Sequence, residues 1–394
     1  MSEMSYLEKL LDGVEVEWKA VGDIAGYSTT KVDADKLDAT SFVGVDNLLA
    51  DKGGRIDATY QPNTARLTAY EPGDILLGNI RPYLKKVWMA ENNGGCSGDV
   101  LAIRILADCK KIISPEYLYY ALSSDSFFSY SMQHAKGAKM PRGSKDAILN
   151  YQIPIPCPSA PGKSLAIQSE IVRILDKFTA LTAELTAELT MRKKQYNYYR
   201  DQLLSFEGGS VEWKSLGEVA IITIGAFVRK DKQNPDADYP VYNGGRTPTG
   251  YYEDFNNDGD KIIVSARGAN AGFVNKSSTP YWAGNSCYSI SVRSTEQLHW
   301  MYVYYYLKQS ETKLTGIQQK GGIPAVSKKQ MEDLLLPIPS KSEQVRIVTI
   351  LDKFDTLTSS ITEGLPREIE LRQKQYEYYR DLLFSFPKPD AVSH

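Results

Sequence analysis

The chain of 394 residues contains an internal duplication, and this feature limits its possible folds more than any other. The segment IVRILDKF, which begins at Ile171, returns as IVTILDKF from Ile347. The segment RKKQYNYYRDQLLSF from Arg192 returns as RQKQYEYYRDLLFSF from Arg372. The duplication predicts two structurally equivalent halves.

Two short markers flank the stretches that separate these repeats. VEWK begins at both Val16 and Val211, and the proline-containing segments IPIP and LPIP begin at Ile153 and Leu336. Between the markers, the similarity of the two halves is faint. Each half therefore consists of a variable domain followed by a well-repeated part.

The repeated parts predict long helices. Apolar residues step by three and four along one face of the first copy, at Ile171, Ile174, Phe178, Leu181 and Leu185. No Pro or Gly interrupts residues 164–206, so a helix capped by Ser164 extends for ~63 Å. Such a stripe needs a partner helix, which the second copy over 342–386 supplies. Gly364 and Pro366 predict a kink or an unwound turn in that copy.

The variable stretches predict mixed α/β structure. Residues 73–90 and 259–274 have the pattern of strand, turn and strand. Residues 114–124 and 299–309 have the pattern of matching short helices. The fold class is therefore α+β, with two mixed α/β domains and two long helices packed as an antiparallel coiled coil in a pseudo-twofold repeat.

These patterns divide the chain into six segments. A fragment resembling the end of the long helix precedes the first VEWK, which predicts a helical stub and neighbouring termini. The predicted segments are the N-terminal stub 1–14, variable domain 15–155, central helical part 156–208, variable domain 209–338, C-terminal helical part 339–387 and tail 388–394.

The motifs that resemble catalytic sites have simpler explanations. CPSAPGKS over 157–164 ends in Gly-Lys-Ser like a phosphate-binding loop, but Cys157 replaces the opening glycine and the second copy lacks the motif. The Glu-x-Lys within each VEWK matches the end of a nuclease signature without the acidic partner. No histidine pair suggests a metal site, and no nucleophile has a convincing base. We predict a chain without catalytic residues, cofactor or metal.

Composition restricts the cellular setting and the mode of binding. The formal net charge is −2, which argues against binding nucleic acid by charge alone. The four cysteines lie far apart without a C-x-x-C pair, so neither a zinc ribbon nor a disulfide framework is expected. The chain contains no long apolar run and no signal-peptide pattern at its start. We expect a cytoplasmic protein.

With no catalytic site predicted, binding to another molecule is the function that the sequence favours. Basic, amide and glycine residues cluster in loops at similar places in both variable domains. Arg and Asn pair with purine edges in the major groove, whereas Lys mainly contacts phosphate. A solvated loop face is the alternative for each residue. The candidates for DNA binding are Asn79, Arg81, Lys85, Lys86, Lys139, Arg142 and Lys145 in the first domain and Asn243, Gly245, Arg246, Arg267, Asn270, Lys320, Lys328 and Lys329 in the second.

Over essentially its whole length, the chain resembles the specificity subunits of Type I restriction–modification enzymes. The resemblance is carried by GDILLGNIRPYLKK from Gly73, KMPRGSKD from Lys139, the IPIP segments and the duplicated ILDKF…YYRDxLLSF helices. The run Thr-Ala-Glu-Leu-Thr-Ala-Glu-Leu from Thr182 to Leu189 is similar to the tandem repeat of the IC branch of that family.

The resemblance implies a non-catalytic subunit that recognises double-stranded DNA. In this family, each recognition domain reads one half of a bipartite, asymmetric site. The helices set the unread spacer and dock two methyltransferase (M) subunits, which use S-adenosylmethionine to methylate adenine N6. Restriction (R) subunits add ATP- and Mg-dependent translocation and cleavage.

Two sets of helical residues are candidates for these roles. The aromatic faces offer a surface for a partner protein, although the tyrosines could instead only fill the helix pair. Their residues are Tyr196, Tyr198, Tyr199, Tyr376, Tyr378 and Tyr379. The repeat offset grows from 176 to 180 residues across this part, a difference of one tetrapeptide. The tetrapeptide run is therefore the candidate ruler for spacing: Thr182, Ala183, Glu184, Leu185, Thr186, Ala187, Glu188 and Leu189.

Two other classes of function remain open at this point. The duplicated helices could belong to a scaffold that binds only proteins, which sequence-specific duplex binding with M subunits would exclude. The chain could also be a DNA-modifying enzyme with an unfamiliar site, which methyl transfer by the isolated chain would support. The target bases do not follow from the sequence, because readout depends on loop geometry and DNA shape.

Overall fold

The computed structural model describes residues 14–206, 211–317 and 322–386. The predicted stub, apart from Val14, lies outside the described residues, as do Lys320 and the predicted tail.

The chain divides into two compact units that do not coincide with its two halves. Unit 1 consists of Met1–Glu184 and Glu370–His394, and unit 2 of Leu185–Ile369. Each unit therefore contains one variable domain together with helical residues from both repeated parts. The predicted segment boundaries remain a prediction.

Unit 1 contains two four-stranded sheets and one two-stranded ribbon among its described residues, in the orders β2-β9-β6-β7, β3-β5-β8-β4 and β1-β10. Its strands are β1 (Val16–Ala20), β2 (Ala25–Tyr27), β3 (Lys31–Asp33), β4 (Phe42–Val43), β5 (Arg66–Tyr70), β6 (Ile75–Gly78), β7 (Val87–Met89), β8 (Gly94–Cys96), β9 (Val100–Ile105) and β10 (Gln152–Pro156).

Unit 2 has a four-stranded sheet, a three-stranded sheet and a ribbon among its described residues, in the orders β12-β18-β15-β16, β14-β13-β17 and β11-β19. Its strands are β11 (Glu212–Ser215), β12 (Ala220–Ile224), β13 (Tyr239–Tyr242), β14 (Gly250–Tyr252), β15 (Lys261–Ser265), β16 (Val274–Ser277), β17 (Trp282–Ala283), β18 (Cys287–Val292) and β19 (Leu335–Ile338).

The described helices follow the same repeat. They are α1 (Val21–Ile24), α2 (Pro115–Leu122), α3 (Asp125–Gln133), α4 (Lys145–Asn150), α5 (Pro161–Leu203), α6 (Leu216–Val219), α7 (Trp300–Gln309), α8 (Glu311–Gly316), α9 (Lys328–Glu332), α10 (Lys341–Ser359) and α11 (Gly364–Leu383). Short 3-10 turns occur at Ala34–Lys36, Pro82–Leu84, Ala107–Cys109 and Lys230–Lys232.

The local predictions for the variable domains are confirmed. Strands β6 and β7 form an antiparallel pair in which Ile75 lies opposite Met89, and β15 and β16 pair with Lys261 opposite Ser277. The two short helices are α2 and α7. The fold is therefore the predicted α+β architecture with a duplicated plan.

The start of the first long helix was predicted incorrectly. Helix α5 begins at Pro161, so Ser164 lies inside the first turn and does not cap it. The Ser164 side chain is buried, and its hydroxyl donates to the carbonyl oxygen of Ile112 at 3.3 Å. A proline is favoured in a first helical turn because its missing N–H has no partner there in any case.

The second long helix is interrupted, as Gly364 and Pro366 predict. Helix α10 ends at Ser359 and α11 begins at Gly364, which has a left-handed φ of 79°. A Cβ at Gly364 would lie 2.4 Å from the carbonyl oxygen of Thr356, so only glycine fits. The four extra residues of the second copy therefore correspond in number to the non-helical link 360–363, and not to an additional helical turn.

The predicted apolar stripe of α5 is only partly buried. Ile171 and Leu175 are fully buried, but Leu181 is 36% exposed, and the helix has no buried residue after Leu175. The amino-terminal part of α5 is therefore packed into a core, whereas the residues beyond Leu175 are half-buried or exposed. Periodicity identifies the face of a helix but not how far its partner extends.

Within each unit, the long helices meet through the same aromatic pair. In unit 1, Phe178 of α5 stacks on Tyr379 of α11 with ring centroids 5.3 Å apart. In unit 2, Phe354 of α10 stacks on Tyr199 of α5 at 5.7 Å. The ILDKF phenylalanine of one copy thus contacts the YYRD tyrosine of the other, an antiparallel arrangement.

A buried glutamine joins each domain to its long helix. Gln168 is fully buried, and its Oε1 accepts from the backbone N–H of Ser114 while its Nε2 donates to the carbonyl oxygen of Ile112. In unit 2, Gln344 is also fully buried and its Oε1 accepts from the N–H of His299.

A tyrosine–aspartate hydrogen bond forms the second contact of each joint. The hydroxyl of Tyr120 donates to Asp176 at 2.5 Å, and that of Tyr305 donates to Asp352 at 2.6 Å. Burial and the nearby carboxylate raise the pKa of both phenols, so the hydroxyls remain protonated donors. The aspartate of ILDKF therefore has a structural role in both copies.

The marker segments close each variable domain. Strand β1, which contains VEWK, pairs antiparallel with β10, which contains IPIP, and Trp18 lies opposite Pro154. Strands β11 and β19 pair in the same way, with Trp213 opposite Pro337. Both ends of each domain therefore leave from one small ribbon.

We predict that replacing either buried glutamine by leucine destabilises the unit that contains it. Gln168→Leu leaves the backbone N–H of Ser114 without its partner and removes the shorter of the two hydrogen bonds to the carbonyl oxygen of Ile112, at a cost of about 1–3 kcal/mol. Gln344→Leu should have a similar effect in unit 2. Urea unfolding measures the loss, with the exposed Gln202→Leu as control; equal unfolding free energies for Gln168→Leu and the control would contradict the prediction.

Candidate nucleic-acid interface

The first variable domain brings two of its predicted loops into direct contact. The N–H of Arg81 donates to the carbonyl oxygen of Pro141 at 2.7 Å, and that of Gly143 donates to Asn79 at 3.0 Å. Arg81 has a left-handed φ of 53°, a strained conformation for a non-glycine residue. The loop after β6 and the basic loop before α4 therefore form one surface.

The second variable domain joins its predicted loops in a similar way. The Arg246 Nε donates to the Asn270 side chain at 3.3 Å, and Arg267 forms an antiparallel backbone bridge with Ala325. The Asn270 Nδ2 donates to Gly244 at 3.5 Å. Three segments that are distant in the sequence, near 245, 268 and 325, thus lie together.

The predicted cations differ in how far their charge is compensated. Three of these cations form ion pairs with aspartates. The pairs are Lys85 with Asp125 at 2.7 Å, Arg142 with Asp99 at 3.0 Å and Lys329 with Asp333 at 2.7 Å. Lys328 lies 3.7 Å from Glu332, and Lys86 donates to the carbonyl oxygen of Val45 at 2.7 Å. Compensated cations contribute less to a phosphate contact, because an existing partner must first be displaced.

Other predicted cations are exposed without an ion pair among the described residues. Arg81, Lys139 and Arg267 are in this group, and Lys145 lies 5.8 Å from the centre of the Tyr27 ring. The Arg246 guanidinium is exposed above the Phe273 ring at 5.5 Å. These side chains are the best placed for phosphate or base contacts.

The predicted amides mainly support the loop backbone. The Asn243 Oδ1 accepts from the N–H of Ser286 at 3.1 Å and lies close to Gly284. The Asn79 Oδ1 is buried under Gly143 and has no hydrogen-bond partner among the described atoms. Residue type alone does not distinguish an asparagine that contacts a base from one that stabilises the loop backbone.

The sequence did not reveal a charge cluster beneath the first loop. Asp125 accepts from Lys52, Lys85 and the fully buried Arg380 of α11, at 3.1, 2.7 and 2.9 Å. Burial opposes ionisation of Asp125, but these bonds outweigh it and lower its pKa well below the usual range. The cluster ties the loop after β6 to the last turns of the repeated helix, and no local motif connects residues so distant in the chain.

A second feature absent from the sequence-based prediction is the basic run after β12. Arg229, Lys230 and Lys232 are exposed in this loop, and Arg229 pairs with Asp231 at 2.8 Å. The sequence VRKDK was the available signal.

The six helical tyrosines fall into two groups. Tyr196 and Tyr376 are half-buried, and Tyr199 and Tyr379 stack in the aromatic pairs described above. The outermost members are Tyr198 and Tyr378, which are 61% and 64% exposed. These two do not fill the helix pair and are available to a partner.

The tetrapeptide run is helical throughout. Residues 182–189 lie within α5, where Glu188 pairs with Arg192 at 2.7 Å. The Thr182 hydroxyl donates to the carbonyl oxygen of Phe178 at 2.9 Å.

Neither a metal centre nor a membrane span is recognisable in the part of the chain that the structure describes. Its His, Cys, Asp and Glu side chains nowhere gather in threes as a metal site requires. Its helices are also too polar or too short to cross a bilayer.

Comparisons with known proteins agree with this geometry. A family model described as the Type I restriction modification DNA specificity domain matches residues 72–191 and 210–371. The Type I restriction enzyme EcoR124I/EcoR124II specificity subunit of Escherichia coli is 41% identical, with all of both chains covered. The EcoprrI specificity subunit of Escherichia coli is 34% identical over 92% of this chain and 93% of that one.

A solved structure shows the same fold. The specificity subunit of a Type I restriction–modification system from M. genitalium superimposes with a TM-score of 0.63 at 16% identity, covering 98% of this chain and 100% of that one.

We predict that Arg81 can be replaced by glycine without loss of stability but with loss of DNA affinity. Glycine adopts the left-handed backbone freely, whereas Arg81→Val should cost about 1–2 kcal/mol in stability. Removing the guanidinium should weaken binding to duplex DNA by about fivefold or more. Thermal unfolding and DNA titration of the assembled complex measure the two effects; parental affinity for Arg81→Gly would exclude Arg81 from the interface.

Proposed function

The chain belongs to the specificity subunits of Type I restriction–modification enzymes, and from this we propose that its two variable domains each read one half of a bipartite, asymmetric DNA site. The observation that carries the proposal is the repetition of one recognition surface in two units. Each surface joins a loop between paired strands to a glycine- and proline-containing loop, and each presents exposed arginines.

The charge distribution supports reading by local contacts. With a net charge of −2, the chain lacks the overall positive charge that coats DNA without regard to sequence. Exposed arginines such as Arg81 and Arg267 concentrate positive charge on the joined loops. Partner subunits would then supply further contacts to the phosphate backbone.

We further propose that the long helices dock two methyltransferase subunits. The exposed Tyr198 and Tyr378 support this, since large aromatic side chains exposed at matching places are typical anchors of protein interfaces. The M subunits would hold S-adenosylmethionine and methylate adenine N6, and R subunits would add cleavage that uses ATP and Mg. An enzyme that acts on DNA within the host would work in the cytoplasm.

We predict that the two domains are exchangeable. Exchange of residues 210–338 for the matching domain of another specificity subunit should change one half-site and leave the other, because the ribbon of β11 and β19 closes that domain. Methylation mapping of the hybrid with its M subunits measures the outcome. A change in both half-sites would contradict the two-domain proposal.

We predict that Tyr198→Asp together with Tyr378→Asp weakens binding of M subunits. A carboxylate at an apolar contact must lose its hydration shell, whereas the exposed side chains contribute little to folding. A quantitative pull-down measures assembly, and thermal unfolding checks the domains. Asn197→Asp with Gln373→Asp is the control for added charge, and unchanged assembly of the tyrosine variant would show that these tyrosines are not part of the docking surface.

We also propose that the chain belongs to the branch with Thr-Ala-Glu-Leu repeats and that this run sets the unread spacer. Residues 182–189 are continuously helical, so a tetrapeptide inserted there would lengthen the helix by about one turn. This supports a dependence of the spacer on the length of the run. The non-helical link 360–363 would not transmit an insertion in the same way.

We predict that one Thr-Ala-Glu-Leu unit inserted after Leu189 lengthens the unread spacer by one base pair. The insertion adds ~6 Å and ~40° of rotation, compared with about 3.4 Å and 34° for a base pair. Both half-sites should keep their sequence, and deletion of a unit should shorten the spacer. Four alanines at the same place should act like the natural unit; an unchanged spacer in the methylation map would mean that the run is only a solvated helix surface.

A further inference from the structure

Each variable domain exposes one apolar side chain immediately before a proline in its glycine-containing loop. Met140 precedes Pro141 and is 51% exposed, and Ile323 precedes Pro324 and is 76% exposed. Exposed apolar residues are common on proteins, so exposure alone has no functional meaning.

The two side chains occupy equivalent positions. In unit 1, Pro141 accepts from the N–H of Arg81; in unit 2, Pro324 accepts from the N–H of Gly268 at 2.9 Å. Two residues further on, the N–H of Gly143 donates to Asn79, and that of Val326 donates to Ala266 at 2.9 Å. The same pair of hydrogen bonds therefore fixes both loops, although KMPRG and GIPAV share only the proline.

The backbone around these side chains is restrained in both units. Arg81 and Gly268, at matching places, both have left-handed φ values, 53° and 93°. In unit 1, Lys136 and Arg142 exchange two backbone hydrogen bonds of 2.9 Å and close the loop that carries Met140. A proline also restricts the residue before it to extended conformations. Binding through a backbone that is already restrained costs little further backbone entropy.

Cationic residues belong to the same joined loops as the two apolar side chains. Met140 lies between Lys139 and Arg142 in the sequence, and its loop is bonded to the exposed Arg81. In unit 2, the backbone bridge between Ala325 and Arg267 joins an exposed arginine to the loop that carries Ile323. An apolar tip with cationic neighbours suits a polyanion that also presents apolar groups, which describes duplex DNA with its phosphates, thymine methyl groups and stacked base faces.

We propose that Met140 and Ile323 contact bases, each placing an apolar side chain against one half of the recognition site. This inference rests on the proposed function. It assigns a specificity-determining role to two residues that carry neither charge nor a hydrogen-bonding group and that a search for basic and amide residues passes over.

The test uses the full chain assembled with its M subunits. Met140→Gln and Ile323→Gln are titrated with the duplex that the parent complex methylates and with a random duplex of equal length. Each variant should bind the specific duplex about 5- to 150-fold more weakly, the range of one lost base contact, and bind the random duplex as the parent does. Met140→Leu and Ile323→Val should restore the specific affinity.

Matched controls show whether the loss of specific DNA affinity requires these two positions or follows from any exposed apolar residue replaced by glutamine. Leu106→Gln and Leu335→Gln change side chains that are 44% and 59% exposed in the same two units but outside the joined loops. Leu106 directly follows the carboxyl end of β9. Asp99, which pairs with Arg142, directly precedes the amino end of the same strand. Both controls should bind like the parent, and all variants should unfold at the parental temperature.

Two modified duplexes identify the apolar group that is contacted. Uracil in place of thymine in one half-site should remove the effect of the corresponding substitution if the contact is with the methyl group. Fluorescence of 2-aminopurine should rise on binding of the parent, but not of the variant, if the side chain unstacks a base step.

The outcomes distinguish this inference from the function on which it rests. A parent complex that shows no preference for any duplex would overturn both. A parent that prefers its site, with glutamine variants that bind both duplexes like the parent or lose affinity for both equally, would overturn only the role of Met140 and Ile323.

Discussion

The buried glutamine and the tyrosine–aspartate hydrogen bond at each joint are the interactions on which the rest of the structure depends. Gln168 and Gln344 are fully buried and hydrogen-bond to backbone groups of their variable domains, so each long helix is fixed to its domain. Asp176 and Asp352 add a second fixed contact. The repeated motifs are therefore the residues of a rigid joint, which allows the loops of each domain to vary while their support stays the same.

The ribbons explain how variable domains can exist in a duplicated chain. VEWK and IPIP pair with each other, so the beginning and end of each domain lie side by side. A domain whose ends meet can change its internal loops without displacing the helices. The charge cluster of Asp125 and Arg380 is an exception, because it ties a loop region of unit 1 to a repeated helix. In unit 2, a different ion pair joins the variable domain to a repeated helix, between Lys276 of β16 and Asp355 of α10 at 3.0 Å.

The sequence predicted the duplicated plan, the strand pairs and the short helices, because repeats and periodicity report local structure directly. It misplaced the start of α5, since Pro161 is compatible with a first helical turn and Ser164 resembles a cap. The extent of burial along α5 depends on which elements reach it, and periodicity contains no such information. For the candidate interface, residue type located the loops, but ion pairs that form only on folding decide which cations remain uncompensated.

The central claim is that this chain supplies the sequence specificity of a modification enzyme through two separate reading surfaces. The most direct measurement is a map of methylated adenines across the genome of a host that carries this chain with its M subunits. We expect methylation at a single bipartite, asymmetric sequence with an unread spacer of constant length. Methylation at a continuous or palindromic sequence, or at sites that do not change when this chain is deleted, would contradict it.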